Sequence, residues 1–383
     1  MIAKRAREMK PFYVMEILEK AQALEREGHD VVHLEVGEPD FDTPEPIKEA
    51  CREALKEGKT HYTHSQGILE LREAICEVYY ENYGVEVTPD QVLITSGTSP
   101  AMLLLFSALL EEGDEVILPD PTYPCYPNFI RYLRAMPLFV KTEEDEGFRY
   151  DLEEVKASLS PRTKAIIVNS PSNPTGVVME EERLREMASL PYWIVSDEIY
   201  HGLVYEGKEH TMLEFTDRCF VLNGFSKLYA MTGWRLGYVI APREFIRPMQ
   251  VMQQNFFISP NAFVQWAALA ALREAKEYAE GMRHEYNRRR LLLLEGLRKL
   301  GLRVKAEPTG AFYILANARH ISEDSRKLAF DILEKAKVGV TPGIDFGQQA
   351  EGYLRFSYTT SQKRIREGLR RLEEYLKGFQ GLP

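Results

Sequence analysis

Cysteine is scarce in this chain: Cys51, Cys76, Cys125 and Cys219 are the four present in 383 residues. None lies within two to four positions of another, so neither a CxxC redox pair nor a cysteine zinc knuckle is present. Reduced, packed thiols are the expectation. Long apolar runs are also missing. The longest, Ala101 to Leu110, is about half of the ~20 residues a membrane span needs. The N-terminus, MIAKRAREMK, is basic, but no continuous apolar block follows it, so it does not read as a secretory signal. Positive charge is in the minority. With 48 Lys and Arg against 58 Asp and Glu the net charge is −10, which leaves no general attraction for nucleic-acid phosphates or anionic lipid. No internal repeat or long Ser/Pro/Gly linker divides the sequence. No G-x-G-x-x-G falls between an expected strand and helix, which removes support for a nicotinamide-dependent reductase. His29 and His33 stand four apart, but Gly28, Val31, Val32 and Leu34 around them read as helix stop and strand, so no metal site is expected. The expectation is a cytoplasmic protein with no membrane or nucleic-acid partner.

What is present is ordinary globular material, with 44% hydrophobic and 28% charged residues. The length suggests two or three units. Helices are expected over Phe12 to Glu27, Glu45 to Glu57 and Ile68 to about Asn82. Between Gln91 and Ala241 short apolar runs take over: VLITS (92–96), EVILPD (115–120), PLFV (137–140), KAIIVNS (164–170), YWIVSD (192–197), CFVLNG (219–224) and LGYVIA (236–241). Helical stretches separate several of them: Pro100 to Glu111, Tyr126 to Leu133, Leu152 to Leu159 and Glu180 to Ser189. Runs apolar on both faces and joined by helices predict a mostly parallel sheet covered on both sides. A long helix is expected from Asn261 to about Leu300. Beyond it LRVKAEP, GAFYILANA and YLRFSYTT read as strands, interleaved with helices from Glu323 to Lys337 and through Ile365, Leu369, Leu372 and Leu376. The fold class is therefore α/β: a large domain with a seven-stranded, mostly parallel sheet, plus a smaller α+β domain. The expected division is 1–45 as an N-terminal segment packing with the small domain, 46–285 as the large domain and 286–383 as the small C-terminal domain.

Four short stretches follow expected strand ends, where ligands of such sheets collect. In Ser96-Gly97-Thr98-Ser99-Pro100, Ser99 is placed to cap a helix and Pro100 to open it, so the turn offers free N–H groups and a positive dipole end to an anion. Alone, such a turn is usually a plain helix cap. Asn169 to Gly176 contains two X-Pro units and a glycine, which make a constrained loop able to fix side-chain amides. In Ser196-Asp197-Glu198-Ile199-Tyr200 a carboxylate ends an apolar strand, a poor position unless something positive meets it. In Gly224 to Gly237, Lys227 follows a strand directly within an aromatic turn. Desolvation there would lower its pKa and make it a nucleophile able to form a Schiff base, while Ser226 and Arg235 could hold a phosphate. A single loop lysine is usually solvated; four convergent stretches make that unconvincing here.

SPSNPTG, DEIY and FSKLYAMTGWRLGY together resemble the fold-type-I, pyridoxal-phosphate-dependent aminotransferases, in particular the aspartate, aromatic and alanine transaminase group. VGEPDFDTP, HYTHSQGILELR, ITSGTSPA, PDPTYPCYP, PTGAFY and YLRFSYTTS fit the same family in the same order, covering nearly the whole chain. The resemblance implies that Lys227 bonds the cofactor as a Schiff base and then shuttles the proton at the substrate Cα. It implies that Asp197 pairs with the pyridinium nitrogen, that Tyr200 and Asn173 bond the ring oxygen, and that Tyr123 stacks on the ring. Gly97, Thr98, Ser99, Ser226 and Arg235 would cradle the phosphate, with Tyr62 reaching the phosphate of the neighbouring subunit in a homodimer. Arg355 would clamp the substrate α-carboxylate in a bidentate fork, with Asn173 nearby and Gly37 closing over it.

Members of that group specialised for acidic side chains carry a basic residue at one of two positions, which fall here about Ser99 and Gln254. Neither is basic. With QQNFFISPN, Phe12 and Tyr13 nearby, a neutral, aliphatic or aromatic L-amino acid over a broad range is the expected donor, with a 2-oxo acid such as 2-oxoglutarate as acceptor. Aspartate aminotransferase and a cysteine–sulfur β-lyase on the same fold are the alternatives. A cofactor-sensing regulator fits poorly, because such chains carry a DNA-binding module upstream and only 36 residues precede Gly37. The triple Arg288-Arg289-Arg290 reads as a solvated helix face.

Overall fold

The computed structural model describes residues 2–378. A short strand β1 (Val32–His33) is followed by the seven strands of the main sheet: β2 (Val92–Thr95), β3 (Glu115–Asp120), β4 (Met136–Lys141), β5 (Thr163–Asn169), β6 (Trp193–Asp197), β7 (Cys219–Gly224) and β8 (Gly237–Ile240). Their order is β2-β8-β7-β6-β5-β3-β4. All pairings are parallel except those of β8, which runs antiparallel to both β2 and β7. Each expected run is a strand, because successive residues find apolar cover on opposite faces. On β5, Ala165 and Ile167 join one buried cluster with Leu118, Val195 and Phe220. Ile166 and Val168 join the other with Ile117, Ile194 and Val221. A strand apolar on both faces is stable only between two helical layers.

Four later strands build the smaller lobe: β9 (Tyr313–Asn317), β10 (Val338–Gly339), β11 (Thr341–Pro342) and β12 (Tyr353–Ser357). β11, β12 and β9 form an antiparallel sheet, while β10 pairs in parallel with β1 from the start of the chain. The helix Tyr13–Arg26 packs its buried Ile17 and Ala21 into the same core as Ile314, Leu333 and Val338. Among the described residues no helix is long and apolar enough to cross a membrane.

Several expectations need correction. The helix after β2 begins at Thr98 with Gly97 as its N-cap, so Ser99 does not cap it and Pro100 lies inside its first turn. Gly97 has φ 104°, a conformation that only glycine adopts without strain. The long helix breaks at Ala275 into Ala262–Glu274 and Lys276–Lys299; no glycine or proline marks the break. LRVKAEP is not a strand and contributes only an isolated bridge from Arg303 to Asn317. A further helix, Arg243–Phe256, holds Pro248 in its interior. Arg289 and Arg290 are buried, not solvated. Arg289 pairs with Asp40 and Glu285. Arg290 bonds the Pro308 carbonyl and Glu206, tying the long helix to loops beneath it. Buried guanidinium groups survive because each has such partners.

Candidate active site

A cavity of about 230 Å³ opens at the carboxyl ends of the main-sheet strands. Its lining includes Gly37, Thr98, Ser99, Tyr123, Asn173, Asp197, Tyr200, Lys227 and Arg355, nine of the residues expected from sequence. The strand order explains the convergence. Asn169 ends β5, Asp197 ends its neighbour β6, and Lys227 follows the end of the next strand, β7. In the loop after β5 the Ser170-Pro171 and Asn173-Pro174 bonds are both cis.

Asp197 is 3% exposed. Its Oδ2 accepts a 2.6 Å hydrogen bond from the Tyr126 hydroxyl, and Oδ1 accepts from the Ile199 N–H at 3.2 Å. Burial pushes its pKa above the usual carboxylate range. The Lys227 ammonium donates to the Gly37 carbonyl at 2.8 Å. Burial pushes this amine down to about 8, which brings its free base within reach near neutrality. Arg355 is buried on β12; it donates to Asn173 Oδ1 at 2.9 Å, to the Glu35 carbonyl at 2.5 Å and to Thr341 Oγ1 at 3.1 Å. Its Nε is buried with no hydrogen-bond partner among the described residues. Among the described residues none of Asp197, Lys227, Arg235 and Arg355 is engaged in an ion pair, so the buried Asp197 carboxylate and the cations of Lys227 and Arg355 face one cavity without a salt-bridge partner.

That set fits pyridoxal phosphate. A cationic ring nitrogen would answer Asp197, a carbonyl would answer the Lys227 amine, and a phosphate would answer the open N–H groups at Thr98 and Ser99. Arg235 belongs to this last group: its guanidinium lies against Gly97, where an added Cβ would come within 2.7 Å of it. Ser226 adjoins Lys227 but neither it, Gly97 nor Arg235 lines the cavity itself. Tyr62 is not brought to the cavity of its own chain; it is 84% exposed. Sequence reasoning missed Tyr126, the buried donor to Asp197, and Tyr313, whose hydroxyl lies 2.8 Å from that of Tyr200. The motifs PDPTYPCYP and PTGAFY contain both, but nothing in their spacing says which tyrosine turns inward.

The sequence profile of the family Aminotransferase class I and II matches residues 29–372. The chain belongs to this family. A (5-formylfuran-3-yl)methyl phosphate transaminase of Methanocaldococcus jannaschii is 47% identical, over 98% of this chain and 100% of that protein. The aspartate/prephenate aminotransferase of Thermus thermophilus is 42% identical, over 98% of each. A crystal structure from Methanococcus jannaschii, described as similar in its active site to kynurenine aminotransferases, superimposes with a TM-score of 0.92 at 46% identity, covering 98% of this chain and 100% of that one. The aminotransferase therefore uses pyridoxal phosphate and moves an amino group from an amino acid to a 2-oxo acid, on a fold shared along nearly its full length with proteins of solved structure.

Proposed function

We propose that this aminotransferase takes neutral, aromatic or aliphatic L-amino acids as its preferred donors, with a 2-oxo acid such as 2-oxoglutarate as acceptor. The observation that carries this is the lining beyond the cofactor groups: Phe12, Val14, Met15, Val36, Met102 and Ile199 are apolar, and among the described residues Lys227 and Arg355 are its only cations. One arginine meets one α-carboxylate. A second carboxylate on the substrate side chain would lose its hydration without gaining a cation. Gln254, at one position where a basic residue would serve acidic substrates, instead donates to Ser65 Oγ at 2.9 Å.

In this reading Arg355 orients the substrate by its α-carboxylate, with Asn173 fixing the guanidinium and the Gly37 backbone closing over it. Lys227 is the attachment amine and carries the proton to and from the substrate Cα. When bound, pyridoxal phosphate supplies the electron sink for that proton transfer. Asp197 holds the ring nitrogen, Tyr200 and Asn173 meet the ring oxygen, and Tyr123 covers the ring face. Thr98, Ser99, Gly97, Ser226 and Arg235 receive the phosphate. The site is shared across a homodimer through Tyr62. Supporting this, Tyr62, Phe256 and Ile258 are 84%, 59% and 49% exposed, and Thr63, next to Tyr62, bonds the Pro260 carbonyl. The division into 1–45, 46–285 and 286–383 belongs to the same proposal and is supported by the pairing of β1 with β10.

The test is a donor panel with 2-oxoglutarate. Phenylalanine, leucine or alanine is expected to give a larger kcat/KM than aspartate. A larger value for aspartate than for all three would overturn the substrate reading, and pyruvate and ammonia from cystathionine without an acceptor would favour a lyase.

A further inference from the structure

Tyr313 has no role in the account above, yet it stands between three groups that do. Its hydroxyl lies 2.8 Å from the Tyr200 hydroxyl. The Arg355 guanidinium sits 4.4 Å from the centre of its ring. Gly37 passes so close that an added Cβ would fall 1.8 Å from the Tyr313 oxygen. Tyr313 itself is 2% exposed, and its ring packs edge-on to Tyr200 at 5.6 Å.

Two hydroxyls sharing one hydrogen bond hold two protons, so one proton is left to point elsewhere. The environment decides which. Gly37 crowds the Tyr313 hydroxyl and the Arg355 guanidinium covers its ring, and neither the Gly37 Cα nor the guanidinium accepts a hydrogen bond. Both tyrosines line the cavity, but Gly37 is pressed against the hydroxyl of Tyr313, not that of Tyr200. A cation over a phenol ring also strengthens that phenol as a donor, and Arg355 lies over Tyr313. We propose that Tyr313 is a positioning residue, donating to the Tyr200 oxygen so that the Tyr200 proton is held toward the ring oxygen of bound pyridoxal phosphate. The proposal rests on the reading that Tyr200 meets that oxygen. It links the carboxylate clamp to the cofactor through one side chain, because the arginine that would bind substrate also polarises the tyrosine that orients Tyr200.

A donor at the ring oxygen favours the cofactor form with the greater negative charge, which is the deprotonated one. Weakening that donor therefore raises the pH at which the bound cofactor's visible absorbance titrates. The experiment is this titration on cofactor-loaded wild type, Tyr313→Phe, Tyr200→Phe and the double variant. Tyr313→Phe, which keeps the ring beneath Arg355, is expected to raise the midpoint by about half to one pH unit. Tyr200→Phe is expected to raise it further, and the double variant should match Tyr200→Phe alone, because Tyr313 acts through Tyr200. An unmoved midpoint in Tyr313→Phe, or a double variant in which the two shifts add, overturns the proposal. An unmoved midpoint in Tyr200→Phe removes Tyr200 from the ring oxygen, and so overturns the site reading and the proposal together. Should Tyr313→Phe fail to fold, Gly37→Ala displaces the same hydroxyl without deleting it. A midpoint shift upward then supports the proposal, and none overturns it.

Discussion

The two ends of the cavity are built in opposite ways. At the cofactor end, Asp197, Lys227 and the turn at Gly97 sit at or just past strand ends of one sheet, each within a few residues of a buried apolar run. At the substrate end, Gly37 and Phe12 come from the first part of the chain and Arg355 from the last, and the Glu35 carbonyl holds the Arg355 guanidinium across that separation. The first end takes its precision from the sheet, where neighbouring strands fix neighbouring side chains. The second takes it from hydrogen bonds between distant segments. Chemistry common to a family suits the first arrangement. Choice of substrate suits the second, where one apolar residue can change without disturbing the sheet.

That contrast orders the expected effects of substitution. Lys227→Ala removes the attachment amine and the proton carrier together, and transamination should fall by more than about 10⁴-fold in steady-state assays. Arg355→Lys keeps the charge but loses the planar fork held by Asn173, Glu35 and Thr341. A loss of about 10²-fold in kcat/KM is expected, carried mostly by KM. If that loss fell equally on substrates without an α-carboxylate, the two ends would not be separable in this way. Tyr126→Phe removes a hydrogen bond to a buried carboxylate and should weaken cofactor retention by about 10-fold, measured by fluorescence titration. An unchanged affinity would place the control of Asp197 elsewhere.

The smallest effect expected lies outside the cavity, beneath the substrate end. His33 hydrogen-bonds Glu35 at 2.6 Å and Glu25 at 3.1 Å. The bond to Glu35 is the main cause that pushes His33 up from 6.5 to about 9. A raised pKa in the folded state gives stability that is full below about 6.5 and lost as pH rises through about 9. His33→Gln should therefore cost about 1–2 kcal/mol near pH 6, allowing for partial solvent screening, and almost nothing at pH 10. Thermal melts at the two pH values check the sign.

The same contrast explains what the sequence made legible. Seven strands, the cofactor turns and Lys227 announce themselves, because a short apolar run ending in Asp, Asn or a Gly-rich turn is a local pattern. Tyr126 and Tyr313 do not, because whether a tyrosine points into a cavity depends on partners far along the chain. Arg289 and Arg290 misled for a related reason: three adjacent arginines look solvated until Asp40, Glu206 and the Pro308 carbonyl are brought to them. The break at Ala275 left no trace in residue type, and LRVKAEP has strand-like residues but no edge to join beyond one bridge.

The central claim is that the cofactor end is organised around one amine. Borohydride reduction of cofactor-loaded protein, followed by peptide mass mapping, tests it most directly. A pyridoxyl adduct is expected on Lys227 and is expected to be absent from Lys227→Ala. An adduct on another lysine, or a loaded and reduced wild-type protein with none, would contradict it.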